Sequence, residues 1–127
     1  SNLISYSPAD EMNRRENTMI AVVMKLIAED ERGFTSAKYL SGHITDLGFK
    51  KTKQSILPYI ELMKGLGILE PTDNPLKPYN IIKSKEEITQ LTKDYLPDVS
   101  AETTAKQLSD NYLHCISDDR WHTGNGI

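Results

Sequence analysis

The run Met19-Ile20-Ala21-Val22-Val23-Met24-Lys25-Leu26-Ile27-Ala28 contains a single polar residue, Lys25, and is the densest apolar stretch of the chain. Asn13 followed by Glu16 has capping-box spacing and Gly33 is a natural stop, so the pattern predicts a helix over about residues 13–31. A helix apolar on almost every side needs cover on more than one face. One face can serve its own domain; the other calls for the C-terminal segment or a second subunit. Behind Thr35 or Ser36 as cap, Ala37, Leu40, Ile44 and Leu47 recur at helical spacing, and Gly48-Phe49 ends that element. Ile56, Ile60, Met63 and Leu66 repeat the period after a polar lead-in, and Gly65 and Gly67 close it.

Strand character follows. Gly67 to Glu70 reads as a short strand and Tyr79 to Ile82 as its partner, with Pro71, Pro75 and Pro78 stiffening the loop between them. Ser84 with Glu87 is a second capping box, ahead of the stripe Ile88, Leu91, Tyr95 and Leu96, which Pro97 stops. Ser100 can cap a last helix of about residues 100–116, with Ala101, Ala105, Leu108 and Tyr112 on one face. From Ser117 onward the tail is polar.

Pro58 leaves two geometries open for the third helix. If it starts at Thr52, Pro58 lies inside it, removes one backbone bond and kinks it. If it starts at Ser55, Pro58 falls in the first turn, where a missing N–H costs nothing. The second geometry is favoured here, with Lys50 to Gln54 as an extended or 3₁₀ lead-in.

The order helix, helix, helix, strand, proline-rich loop, strand, helix resembles the winged helix-turn-helix superfamily over residues 13–96. The stretch Tyr59-Ile60-Glu61-Leu62-Met63-Lys64-Gly65-Leu66-Gly67-Ile68-Leu69 resembles archaeal-type winged-helix transcriptional regulators in particular. The resemblance implies a mainly α fold with a small β-hairpin wing, followed over residues 97–127 by a C-terminal helix and a polar tail. It also implies double-stranded DNA as the partner.

Composition adds limits. With 38% apolar and 26% charged residues the chain reads as a soluble globular protein of 127 residues, enough for one domain. No stretch approaches a membrane span, no secretory pattern opens the chain, and Ser1-Asn2 reads as the scar of a cleaved tag. The single cysteine, Cys115, fits a reducing compartment, so the expected location is cytoplasmic.

The net charge of −3 argues against nucleic acid until its distribution is read. Residues 32–85 carry nine basic and four acidic groups; residues 1–31 carry three and six, residues 86–127 three and eight. A positive centre between negative ends suits a DNA-reading module flanked by packing elements.

Within that centre, Lys50, Lys51 and Lys53 can neutralise phosphates, while Gln54 and Ser55 can bond base edges at the N-terminal end of a helix in the major groove. Tyr59, one turn on, is a candidate backbone contact. In the wing, Lys77 beside Pro78 and Tyr79 can reach an adjacent minor groove or phosphate, and the N-terminus of the second helix, around Thr35, Ser36 and Lys38, can clamp a phosphate through backbone N–H groups. The competing reading makes the lysines an ordinary solvated face. Arg32, at the edge, is the sole arginine of this segment.

Enzyme readings find no support. His43, His114 and His122 are scattered; His114-Cys115 with His122 lacks the spacing of a tetrahedral zinc site; no glycine-rich phosphate loop implies a cofactor. Met19, Val22 and Val23 of the first helix with Leu108 and Tyr112 of the last are the candidate dimer interface, unless those helices pack on each other within one monomer. The expected function is a DNA-binding transcriptional regulator acting by occupancy as a homodimer. The alternatives are a winged-helix protein-interaction module of a larger assembly without DNA contact, or a plasmid or viral replication or partition factor.

Overall fold

Helix-forming residues from Pro8 to Ala28 build the first element, α1, and Pro8 opens it at a position where its missing N–H is harmless. The helix thus begins five residues before the expected cap at Asn13, which lies inside it. The computed structural model describes residues 8–113, with side chains from residue 14. After α1 come β1 (Phe34–Thr35), α2 (Ala37–Asp46), α3 (Lys53–Gly65), β2 (Leu69–Pro71), β3 (Tyr79–Ile81) and α4 (Lys85–Thr92). A last helix, α5, covers residues 105–113. The described chain is therefore mainly helical with one small sheet.

Capping chemistry sets most boundaries. Ser36, not Thr35, caps α2 by accepting from Tyr39 N at 3.0 Å. Ser84 and Glu87 close a reciprocal capping box on α4. The C-terminal ends of α2 and α3 use one device twice. Phe49 N donates to Ile44 O and Gly48 N to Thr45 O; Ile68 N donates to Met63 O and Gly67 N to Lys64 O. Both turns need a left-handed residue, and Gly48 (φ 103°) and Gly67 (φ 75°) supply it. The apolar residue after each glycine, Phe49 or Ile68, folds into the core.

Beyond α1, three helix boundaries differ from expectation. Thr52 caps α3 by accepting from Ser55 N, so the helix starts at Lys53 and Pro58 is its sixth residue. The lead-in is short because Ser41 Oγ holds the carbonyl of Lys51 at 3.0 Å, bringing Thr52 into capping position. The N–H that Pro58 lacks would have served the carbonyl of Gln54; both residues are exposed, so water can take its place. α4 ends at Thr92, well before Pro97. α5 starts at 105 because Thr104, bonded reciprocally with Gln107, caps it in place of Ser100.

The sheet contains a strand that the pattern did not predict. β1 pairs with β3 (Phe34 opposite Asn80, Thr35 opposite Tyr79), and β3 pairs with β2 (Leu69 opposite Ile81, Pro71 opposite Tyr79), all antiparallel in the order β1-β3-β2. Two residues carry no detectable period, which is why β1 was invisible. Pro71 is tolerated because β2 is an edge strand.

α1 runs through the middle of the core. Ala21, Val22, Val23, Met24 and Ile27 are fully buried, together with Leu40, Ile44, Ile56, Ile60, Met63, Ile68 and Ile88 from α2, α3, the turn after α3, and α4. The C-terminal segment supplies the second cover: Val99, Ala105 and Leu108 are buried, and Ala105 N donates to Glu29 Oε2 at 2.9 Å. This removes Met19, Val22, Val23 and Leu108 from the expected dimer interface, because all four are buried within one chain. Tyr112 is half-buried and packs on Phe49, ring centroids 5.4 Å apart. Among the described residues, no helix is long and apolar enough to cross a membrane.

Candidate nucleic-acid interface

Thr52 is the residue that organises the first candidate surface. Its hydroxyl accepts from Ser55 N at 3.1 Å and lies 3.0 Å from Ser55 Oγ, tying down the opening turn of α3. That turn displays Lys53, Gln54 and Ser55, all exposed, directly after exposed Lys50 and half-exposed Lys51. Lys51 is anchored through its carbonyl to Ser41 and Thr45 of α2, and its Nζ lies 5.7 Å from the centroid of the Tyr59 ring. Five of the expected contact residues thus share one short surface.

Electrostatically this turn runs against the usual arrangement. A helix N-terminus carries partial positive charge, which Asp and Glu in the first turn normally offset. α4 follows that rule with Glu86 and Glu87. α3 has no acidic residue in its first turn, and three lysines crowd its approach. The helix end and the lysines add rather than cancel, and an anion would relieve both.

Tyr59 does not belong to this surface. It is 6% exposed and sits in the core, so it cannot contact a DNA backbone. Burial pushes its phenol pKa up, helped by a hydrogen bond to Glu16 and by the charge of that carboxylate. Helical geometry explains the error: Tyr59 lies three residues from Ile56 and four from Met63, on the buried stripe of α3.

The second cluster gathers around β1 and the start of α2. Thr35 was expected to clamp a phosphate; instead it is 1% exposed, faces inward, and its Oγ1 has no hydrogen-bond partner among the described residues. Ser36 spends its hydroxyl on the cap, while Lys38 stays exposed. Lys77 comes across from the β2–β3 loop to place Nζ 5.0 Å from the centroid of Phe34, and Tyr79 lies half-exposed on β3 opposite Thr35.

Between these residues lies a stack that the sequence reading missed. The Arg32 guanidinium carbon is 4.6 Å from the Phe34 centroid and 3.8 Å from that of Tyr39; Tyr39 lies 4.0 Å from the ring of His43. Asp30 holds Arg32 with three hydrogen bonds, from the backbone N to Oδ1 at 3.0 Å, from Nε to Oδ1 at 2.9 Å and from Nη2 to Oδ2 at 2.7 Å. Burial works against ionisation of Asp30, but the hydrogen bonds and charge of Arg32 outweigh it and hold the carboxyl below its usual range. The spacing of Tyr39 and His43, one helical turn apart, was the available clue. Arg32 thus pairs with Asp30 and stacks on two rings while 41% of its side chain stays exposed.

His114, Cys115, Trp121 and His122 lie outside the described residues. Comparison with models of known protein families, with curated protein sequences and with solved structures finds no match for this chain.

Proposed function

We propose that this chain is a winged helix-turn-helix DNA-binding protein, a transcriptional regulator acting by occupancy of its site. In this reading α2 and α3 are the helix-turn-helix, α3 enters the major groove by its N-terminal end, and β2 and β3 carry the wing. The observation that carries it is the charge at the start of α3, where Lys50, Lys51 and Lys53 meet a positive helix end whose first turn holds no acidic residue. Duplex DNA supplies the missing anions at regular spacing. Gln54 and Ser55, exposed in the same turn, are the groups for base edges, Gln54 by a bidentate pair with adenine. Lys38 and Lys77 add phosphate contacts from the second cluster.

The assignment of Met19, Val22, Val23, Leu108 and Tyr112 to a dimer forms no part of this reading. A second reading, a protein-docking module without DNA contact, is favoured by one observation. Arg32, the only arginine in residues 32–85, is paired with Asp30, so this segment offers lysine point charges and no bidentate arginine.

Fluorescence anisotropy on mixed duplex DNA across a salt series separates the two. The parent is expected to bind with a steep salt dependence, and Lys50/Lys51/Lys53→Ala to lower the log–log slope by roughly 2–3 along with affinity. Absence of parent binding at low salt would sink the DNA reading in favour of protein docking.

A further inference from the structure

The loop joining β2 to β3 holds its own shape. Thr72 N donates to Pro78 O at 2.8 Å, Lys77 N to Asn74 O at 3.0 Å, Asn74 N to Thr72 Oγ1 at 3.1 Å and Leu76 N to Asn74 Oδ1 at 2.9 Å. Thr72 Oγ1 in turn donates to the carbonyl of Lys77. Pro71, Pro75 and Pro78 restrict φ at three further points. At the tip of this frame Leu76 is 83% exposed, against 41% for Leu57 and 52% for Ile82. Partial exposure of a leucine is ordinary. Leu76 is different in degree: nearly the whole side chain stands in water, on a backbone tied by the hydrogen bonds of Thr72 and Asn74.

The mount is stiff at its base as well. The Phe34 ring beside the loop carries Arg32, which Asp30 fixes, and Lys77, next to Leu76, stays exposed with its Nζ 5.0 Å from the centroid of that ring. β2 itself follows α3 across only the Gly67 turn, so the loop is carried by the element after the proposed reading helix.

We propose that Leu76 is an apolar wedge that enters the minor groove beside the site read by α3 and opens a base step, so that the protein bends the DNA it binds. This rests on the DNA-binding reading above and extends it to a second, mechanically distinct contact. A protein partner fits the loop poorly, because a stable protein interface needs about 800 Å² from each side and one leucine between Asn74 and Lys77 offers a small fraction of that. A wedge needs only what the loop has: one apolar side chain, a rigid mount and a neighbouring cation to hold the phosphate beside the opened step. Asp73, on the β2 side of the tip, repels phosphate and turns the approach toward the Lys77 side. Pyrimidine–purine steps unstack most easily, so TpA is the expected point of entry.

The test uses duplexes in which 2-aminopurine replaces adenine at several TpA steps, with donor and acceptor dyes at the ends. Anisotropy, 2-aminopurine fluorescence and end-to-end energy transfer are read on the same samples. The parent should raise 2-aminopurine fluorescence several-fold at saturation and bring the ends closer. Leu76→Ser, a surface change that should leave thermal unfolding unaltered, should weaken binding by about tenfold and abolish both signals at saturation, and Leu76→Phe should retain them. If the parent binds without either signal, or Leu76→Ser gives the parent signals, the wedge is wrong and the DNA reading stands. If the parent does not bind DNA, both fall together.

Discussion

Lys25 and Tyr59 show how much a single side chain depends on where its helix is placed. Lys25 is 1% exposed; its Nζ donates to Thr89 Oγ1 at 3.2 Å and reaches the carbonyl of Ala101 at 3.5 Å. Burial pushes the pKa of its ammonium down, and the charge of Glu29 only partly restores it. With the folded pKa below the unfolded value of about 10.4, the unfolded chain binds more protons across the interval between them, so stability rises with pH through that window. Lys25→Met keeps the volume and removes the charge. It is expected to leave stability at pH 7 unchanged or higher by about 1–2 kcal/mol, and to flatten the alkaline rise, as read by urea unfolding at neutral and alkaline pH. A loss of more than about 3 kcal/mol would mean that the hydrogen bonds to Thr89 and Ala101 outweigh the desolvation of the ammonium.

Caps decide the element scale. Thr52 sets the start of α3 and thereby turns Lys53 and Gln54 from lead-in residues into a first helical turn. Thr52→Ala removes no charge but releases the N–H of Ser55 and the hydroxyl pairing between the two residues. Stability should fall by about 1 kcal/mol in thermal unfolding. DNA affinity should fall while the salt slope stays at the parent value, since all the lysines remain. A slope that dropped as in the triple lysine variant would show that the cap matters by repositioning charge, not by ordering Gln54 and Ser55. The sheet makes the complementary point: β1 has only two residues, and its partners on β3 lie more than forty positions away.

For the whole molecule, the governing fact is that α1 is wrapped by its own chain. α2, α3 and α4 cover part of it, and the segment from Val99 to Leu108 covers the rest, with Glu29 accepting from the start of α5. α5 also reaches the turn between α2 and α3. A Cβ on Gly48 would meet Leu113 Cδ1 at 2.8 Å, and Tyr112 packs on Phe49, immediately before the lysine lead-in. Because this core is complete in one chain, Val22→Ala should destabilise the protein by about 2–3 kcal/mol, with an unfolding midpoint independent of protein concentration. A midpoint rising with concentration would place a second subunit over α1.

The sequence alone determined the features that close within a few residues. The capping box of Ser84 and Glu87, a cap at Thr35 or Ser36, the stops at Gly48-Phe49 and Gly67, and the helical stripes they bound were all readable. Their hydrogen bonds and periods are local, so a short window contains the cause. The lysine-rich approach to α3 was readable for the same reason. Only the tertiary structure decided which face each side chain takes and what lies against it. Tyr59 and Thr35 turned inward, Lys25 found Thr89 at a separation of 64 positions, Arg32 paired with Asp30 and stacked on two rings, and the C-terminal segment covered α1. Burial is set by contacts between distant segments, and a one-dimensional pattern records that something must cover an apolar face without recording what does.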